Sequence, residues 1–460
     1  MVYPPIDQSC FWLATRAERP VQPLEGDRSA DYAIIGAGLT GLWTALWIKQ
    51  LDPGADVIVI EQGTAAFGAS GRNAGMLSET IDHTPALAIK HFGDTEARRL
   101  AALGEANVAG LYRDLADWKI ECDLERTGRL MVALTEGHLE ECRHTISVAQ
   151  TIGLDTFSFL EQAETQAALH SSLYRGAVRV TGGGILNPVK LIDGLAAEAR
   201  RRGVVIAEQS KVISVVPDRA GARVTTRGGT VRARKAILAT SAYTHHLLPA
   251  VLTRFIPLYD YVLVSAPLTP AQWEELGWRG REGVTDLRTF FNYYRPTADG
   301  RVLWGTSEAA YFSGNRVDPS CDHSEPHYQS LRQSWQRHFP GLAALEWEYQ
   351  WGGAICSTTR MTPYFGSVAG GKLLYGLGYT GHGLATTRLG GQILAHMALD
   401  RSSELLELQL VTKKPFPYPP EPFRQWAVSL VTKELRKVDA GERPGMMLRM
   451  LERMGVGFSS

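Results

Sequence analysis

The chain carries no excess of charge of either sign, since Lys plus Arg equals Asp plus Glu at 48 each. No global field draws it toward nucleic acid or an anionic membrane, and a small-molecule partner is expected. Cysteine is sparse. Cys10, Cys122, Cys142, Cys321 and Cys356 are scattered, odd in number and without a C-x-x-C pair, which argues against a disulfide framework and against a metal site. A reducing, cytoplasmic setting fits that usage. Apolar runs of about 18 residues are missing, as is a basic segment leading into an apolar one at the N-terminus, so neither a membrane span nor secretion is expected. Internal repeats and low-complexity tracts are absent too. What is present, 44% hydrophobic and 21% charged residues over 460 positions, is ordinary globular composition with chain enough for two or three domains.

The most informative stretch is Tyr32 to Glu61, YAIIGAGLTGLWTALWIKQLDPGADVIVIE. A short apolar strand leads into Gly36, Gly38 and Gly41 at G-x-G-x-x-G spacing, then a helix through Leu39, Thr40 and onward, then a second apolar strand. The first glycine permits the tight turn, the second lets backbone N–H groups approach a pyrophosphate, and the third lets helix and strand pack closely. Glu61, followed by Gln62, closes the unit where a carboxylate accepts hydrogen bonds from a ribose diol and repels a 2′-phosphate. An adenine dinucleotide is therefore expected, and NADP is disfavoured.

After this unit comes GASGRNAGML, residues 68 to 77, too glycine-rich for a helix interior and well furnished with donors, as a ligand loop would be. Residues 85 to 170 read mainly as amphipathic helices. Short strands alternate from 204 to 238, strand-like runs surround one helix between 255 and 355, and LLYGLGYTGHGLATTRLGGQILAHMAL at 373 to 399 is again strand, glycine loop and helix. The expected fold is α/β. A nucleotide-binding domain is assembled from 28–85, 150–250 and 350–402, an antiparallel-sheet substrate domain from 86–149 and 251–349, and a helical tail follows over 403–460.

Four pieces in this order, IIGAGLTGLWTALWI with Glu61, GASGRNAGM, KVISVV followed by KAILATSAYT, and GYTGHGLATT, resemble the D-amino-acid oxidase, glycine oxidase and sarcosine oxidase group of FAD-dependent amine oxidoreductases. Within it, SCFWLAT, the GASGRNAG loop, WGGAICSTTRMTPYFG and the proline-rich tail look most like the gamma-glutamylputrescine oxidoreductases. The resemblance implies a Rossmann-like FAD-binding domain. It also implies that Gly36, Gly38 and Gly41, with Leu39 and Thr40, hold the pyrophosphate, that Glu61 and Gln62 meet the adenosine ribose, and that Val212 contacts adenine through its backbone. Ser70, Gly71, Arg72, Asn73, Ala74, Gly75 and Met76 would approach the phosphates and ring system. Thr240, Trp351 and the segment Gly378, Thr380, Gly381, His382, Gly383 and Leu384 would complete the cofactor site, the last of these beneath the flavin ring.

By the same resemblance the reaction is oxidation of an amine at its C–N bond, with hydride passing to flavin N5 and the imine hydrolysed by water. Oxygen or another acceptor then takes the electrons. Arg72, Asn73, Tyr259, Tyr293 and His382 are the expected catalytic set, with Met76, Tyr261, Phe291, Arg295 and Trp351 as further pocket candidates; no obligatory Asp or Glu base is visible. Two departures stand out. Sarcosine oxidases clamp the substrate carboxylate with a lysine where this chain has Ala385, and they activate oxygen with a lysine where it has Leu303, leaving Arg72 as the substitute cation. Cys356 lies near the position used for covalent flavin attachment, although a buried inert thiol fits it as well. Oxidation of a polyol or hydroxy acid, and a non-catalytic FAD-binding or electron-transfer subunit, are the alternative readings. The tail motivates the second, because Val428, Val431 and Leu435 fall at helical spacing; packing on its own subunit is the favoured explanation of that face.

Overall fold

The computed structural model describes residues 6–81 and 84–453, so the last residues of the expected tail lie outside the described part. Two large sheets carry the fold. In the first, strand Arg28–Ile35 lies between Thr230–Leu238 and Val57–Ile60, parallel to both; Val205–Ala207 continues one side and Leu373–Leu377 the other, in parallel. Apolar runs such as VIVI at 57 to 60 are buried along their whole length, as strands covered on both faces must be. Helices Leu39–Leu51, Pro188–Arg201 and Gly383–Ala398 supply cover, and their residues share one core with Ile34, Val57 and Val59. This is the Rossmann-like layer, assembled from distant segments as expected.

The second sheet orders its strands Trp347–Ser357, Ile256–Ser265, Val302–Ala310, Asn292–Pro296, Gly283–Asp286, Arg129–Ala133, Gly176–Val180 and Phe157–Leu160. It is antiparallel except where Gly283–Asp286 runs parallel to Arg129–Ala133. That pair is joined by a long connection rather than a hairpin, so its direction is free.

Segment membership departs from the expected boundaries in three places. Strands Phe157–Leu160 and Gly176–Val180, placed by sequence in the nucleotide part, pair with Arg129–Ala133 in the second sheet. Strand Trp347–Ser357 runs along Ile256–Ser265, so it too belongs there despite its nearness to the glycine loop at 378–383. Conversely, helix Asp94–Asp117 docks on helix Gly383–Ala398: Asn107 Nδ2 donates to the Ala385 carbonyl at 2.8 Å and Arg388 Nε to Asp114 at 2.7 Å. Ladder hydrogen bonds and side-chain pairs decide membership, and proximity in sequence says little about them.

The tail helix Phe423–Asp439 packs on its own chain. Asp439 accepts from the N–H groups of Thr289 and Phe290, Arg424 reaches Asn315, and Val428, Val431 and Leu435 are half-buried. No helix among the described residues is long and apolar enough to cross a membrane.

Candidate active site

A cavity of about 1180 Å³ opens at the C-terminal ends of the parallel strands, where ligands of such sheets bind. Its wall takes Glu61 after Val57–Ile60, Gly36 and Gly38 after Arg28–Ile35, Ala239 and Thr240 after Thr230–Leu238, and Tyr379 to Gly381 after Leu373–Leu377. These are four neighbouring strands at about 4.8 Å spacing, so the wall spans roughly 14 Å.

Two helix N-termini on that wall are suited to an anion. Helix Leu39–Leu51 begins at Gly38 with no side-chain cap of its own, and helix Gly383–Ala398 begins likewise at His382. Both helix N-termini contribute to the wall through Leu39, Thr40, Gly383 and Leu384, and both offer partial positive charge to a ligand. The turn between strand and first helix is too close for side chains. Gly36 has φ +104°, and a Cβ there would stand 2.7 Å from the Ala239 carbonyl oxygen. A Cβ on Gly41 would fall inside the Gly36 carbonyl, so Gly41 sets the helix–strand approach and stays off the wall.

Glu61 is buried, and its carboxylate accepts from Ala37 N–H at 2.8 Å and Gly63 N–H at 3.0 Å. Burial pushes its pKa up, opposed by those N–H donors. A carboxylate has about four lone-pair positions, which leaves acceptor capacity for a ribose diol beside it. Gln62 and Val212 are on the same wall, and Ser70 Oγ accepts from Leu39 N–H at 3.0 Å, tying the glycine-rich loop to the first helix. Thr380 and Ser241 also line it with φ of +47° and +45°, a conformation costly for non-glycine residues and concentrated at functional sites. Cradle, buried carboxylate and helix ends fit FAD.

Other expected residues lie behind the wall. Gly71 packs on Ala66; Gly75 (φ +72°) closes on the Leu186 carbonyl; Gly378 (φ +86°) closes on Thr358. Ala74 is partly buried and packs against the core, Met76 pairs with Ile185, Trp351 donates from Nε1 to the Arg72 carbonyl at 3.0 Å, and His382 N–H bonds Tyr379 within the turn. Asn73 does reach the wall, but its amide spends its donors on Ala69 and Ser70 and its oxygen on Gly75 N–H, so it holds the loop in shape. Tyr259 is fully buried and exchanges hydrogen bonds with the Asp318 backbone, bracing the segment at 317–319 from behind. Tyr261 similarly anchors the Cys321 carbonyl. Arg295 bonds the carbonyls of Leu186, Gly75 and Pro296, and burial without a carboxylate partner pulls its pKa down to about 9. It staples the flavin loop to the sheet.

Arg72 needs a correction. Its guanidinium is taken by Asp322 at 2.6 Å, by the Gly352 carbonyl at 2.9 Å and by the Phe67 carbonyl at 3.1 Å. Burial opposes the charge, and the Asp322 pair outweighs burial, so its pKa is raised. A cation already matched by a carboxylate offers little net charge to oxygen, which removes the reason for treating Arg72 as the missing lysine's substitute.

Sequence reading missed Asp318, Asp322 and Tyr243, all on the wall. VDPSCD at 317–322 carries no motif, and hydrogen bonds with Tyr259 and Tyr261 together with the Arg72–Asp322 pair hold it beside the flavin loop. It missed Asp260 as well. Tyr293 hydroxyl donates to Asp260 Oδ2 at 2.7 Å, Tyr261 N–H to Oδ1 at 2.8 Å, and burial lifts the Asp260 carboxyl to about 7.

Cys356 lines the cavity, yet burial raises its thiol pKa far above the usual range. A thiol attacks as thiolate, so covalent attachment is disfavoured. Acid denaturation of the holoprotein is expected to release all flavin into the supernatant, and Cys356→Ala to keep its flavin; flavin fluorescence retained on the denatured polypeptide would contradict this.

A family model described as DAO, FAD dependent oxidoreductase, matches residues 31–397. The chain belongs to this family. It is an FAD-dependent oxidoreductase. It is 31% identical over 420 residues to a probable oxidoreductase OrdL of Rhizobium meliloti, covering 90% of this chain and 94% of that protein. It is 27% identical over 399 residues to gamma-glutamylputrescine oxidoreductase of Escherichia coli, covering 86% and 90%. The crystal structure of glycine oxidase from Geobacillus kaustophilus superimposes with a TM-score of 0.68 at 22% identity, covering 82% of this chain and 96% of that one. That similarity shows the fold.

Proposed function

We propose that this DAO-family chain oxidises a primary or secondary aliphatic amine longer than sarcosine, at the C–N bond. When bound, FAD supplies the two-electron acceptor for the C–H beside nitrogen. The observation that carries the reading is the distribution of cations on the cavity wall. Lys211 and Arg227 lie with Val212 and Gly228, on the side of Glu61, and Arg72 behind the opposite part is paired with Asp322. Among the described residues the wall carries no other Lys or Arg that could clamp a substrate carboxylate, and Ala385 stands where sarcosine oxidases keep a lysine.

A substrate that is itself cationic has no need of that clamp. The Asp260 carboxyl and the hydroxyl of Tyr293 present acceptors suited to an ammonium. Proteins similar to this chain include gamma-glutamylputrescine oxidoreductase, glycine oxidase and an iminodiacetate oxidase, which supports nitrogen-bearing substrates as the class. Leu303, fully buried where the oxygen-activating lysine of sarcosine oxidases would align, favours slow reoxidation of the flavin by air.

The test is anaerobic titration of the oxidised protein with polyamines, acylated diamines and N-methyl amino acids while following flavin bleaching. Acylated diamines and polyamines are expected to bleach it. Sarcosine and glycine are expected to have at least about tenfold lower kcat/KM, because losing one charge-assisted carboxylate contact costs about 1.5–3 kcal/mol. Sarcosine ranking first would reject the length and charge argument.

A further inference from the structure

Strand Ile256–Ser265 lies second from the edge of its sheet, and Asp260 occupies an irregularity in it. Tyr261 pairs with Thr306 whereas Tyr259 pairs with Ala310, so Val302–Ala310 carries extra residues opposite Asp260. Bulges of this kind re-aim side chains and recur beside active sites. On the other side Asp260 pairs with Gly353. A Cβ on Gly353 would meet the Arg72 side chain first, at 3.1 Å, so this face of the sheet looks onto the glycine-rich flavin loop. Asp260 and Tyr293 lie off the cavity wall, and Ala354, Ile355 and Cys356, which follow Gly353 along its strand, line it. Asp260, Tyr293 and Gly353 each keep some open surface, whereas Tyr259, Tyr261, Trp351 and Gly305 around them are buried. Gly305 has no side chain, and the Tyr293 ring lies over its backbone, which delivers the phenol to Asp260.

Resting on the amine reading above, we propose that Asp260, positioned by Tyr293, receives the ammonium group of the substrate and takes its proton before oxidation. In that step one N–H bond breaks, its electron pair stays on nitrogen, and the proton goes to a carboxylate oxygen, giving R–NH2 and the neutral acid. Only the neutral amine has the lone pair that assists loss of the adjacent hydride, so the transfer is a required preliminary. The surroundings suit the role. The charged groups on elements packed against Asp260 are committed elsewhere, Arg72 to Asp322, Glu308 to Arg436 and Arg295 to backbone carbonyls, so among the described residues no internal cation pairs with the carboxylate. Desolvation holds its pKa at about 7, near that of an efficient base at neutral pH, and the Tyr293 hydroxyl lowers it from where burial alone would set it. An incoming ammonium would stabilise the ionised form further.

The experiment follows the rate of anaerobic flavin reduction by an acylated diamine against pH in the holoprotein, for wild type, Asp260→Asn and Tyr293→Phe. Wild type should rise through pH about 7, Asp260→Asn should be about 10²-fold slower without that limb, and Tyr293→Phe should move the limb to higher pH. Thermal stability gives an independent readout. A carboxyl whose folded pKa is raised costs stability as pH climbs from its unfolded value of about 4 to its folded value, so the melting temperature of Asp260→Asn should gain on wild type across that window and stay ahead above it. An Asp260→Asn protein with wild-type rate and pH profile overturns the assignment of Asp260 and leaves the amine reading intact. A wild-type protein reduced by no amine overturns both.

Discussion

Replacing Gly41 by valine is expected to yield protein purified without flavin. The Cβ would be driven into the Gly36 carbonyl and stand 3.3 Å from Ile34 Cγ2, and Ile34 is fully buried while Gly36 is closed in by the Ala239 carbonyl. The helix Leu39–Leu51 must then lift away from strand Arg28–Ile35, carrying with it the N–H groups of Leu39 and Thr40 that the cradle presents. Overpacking of this kind costs about 1–3 kcal/mol in a core, and here it falls on the geometry that binds the pyrophosphate. The ratio of flavin to protein absorbance reports it. Gly38→Ala makes the comparison informative, because its Cβ would meet the Ser70 side-chain oxygen at 2.8 Å, which can rotate aside. Partial flavin content is expected there, and full retention by Gly41→Val would refute the close-packing argument.

Breaking the Arg72–Asp322 pair is expected to have the next largest effect. Both side chains are about five-sixths buried, and the pair ties the flavin loop to the segment at 317–322 that walls the cavity. Arg72→Met leaves the Asp322 carboxylate without its cation, a change that costs about 3 kcal/mol or more in buried settings. Flavin affinity should fall together with melting temperature. Asp322→Leu in the Arg72→Met background should recover much of the stability, because the pair is then replaced by apolar surface rather than broken. A double variant as unstable as the sum of the singles would show that the two residues act independently.

Both predictions rest on features with different visibility in sequence. The demand for glycine at position 41 was readable from spacing alone. That Arg72 answers to Asp322, 250 residues away, was not: GASGRNAG advertised a ligand loop, and a loop arginine reads as a free cation until its partner is placed. Asp260 shows the same gap more sharply. It sits in YDYVLV, a run that reads as a strand, and nothing local marks an acid there as unpaired, half-open and facing a flavin loop.

The sequence by itself determined the βαβ unit, its glycine turn and Glu61, and with them a site for an adenine dinucleotide, which the family resemblance narrowed to FAD. These follow from local spacing, because a strand, a tight turn and a helix N-terminus are each specified within a few residues and the dinucleotide site is built at their junction. Only the tertiary structure decided which strands join which sheet, that Asn73, Tyr259 and Arg295 hold the frame, and which charges are matched. Those are properties of pairs contributed by distant segments. Ladder pairing, burial and ion pairing depend on what packs against a residue, and periodicity along one segment carries no record of its neighbour.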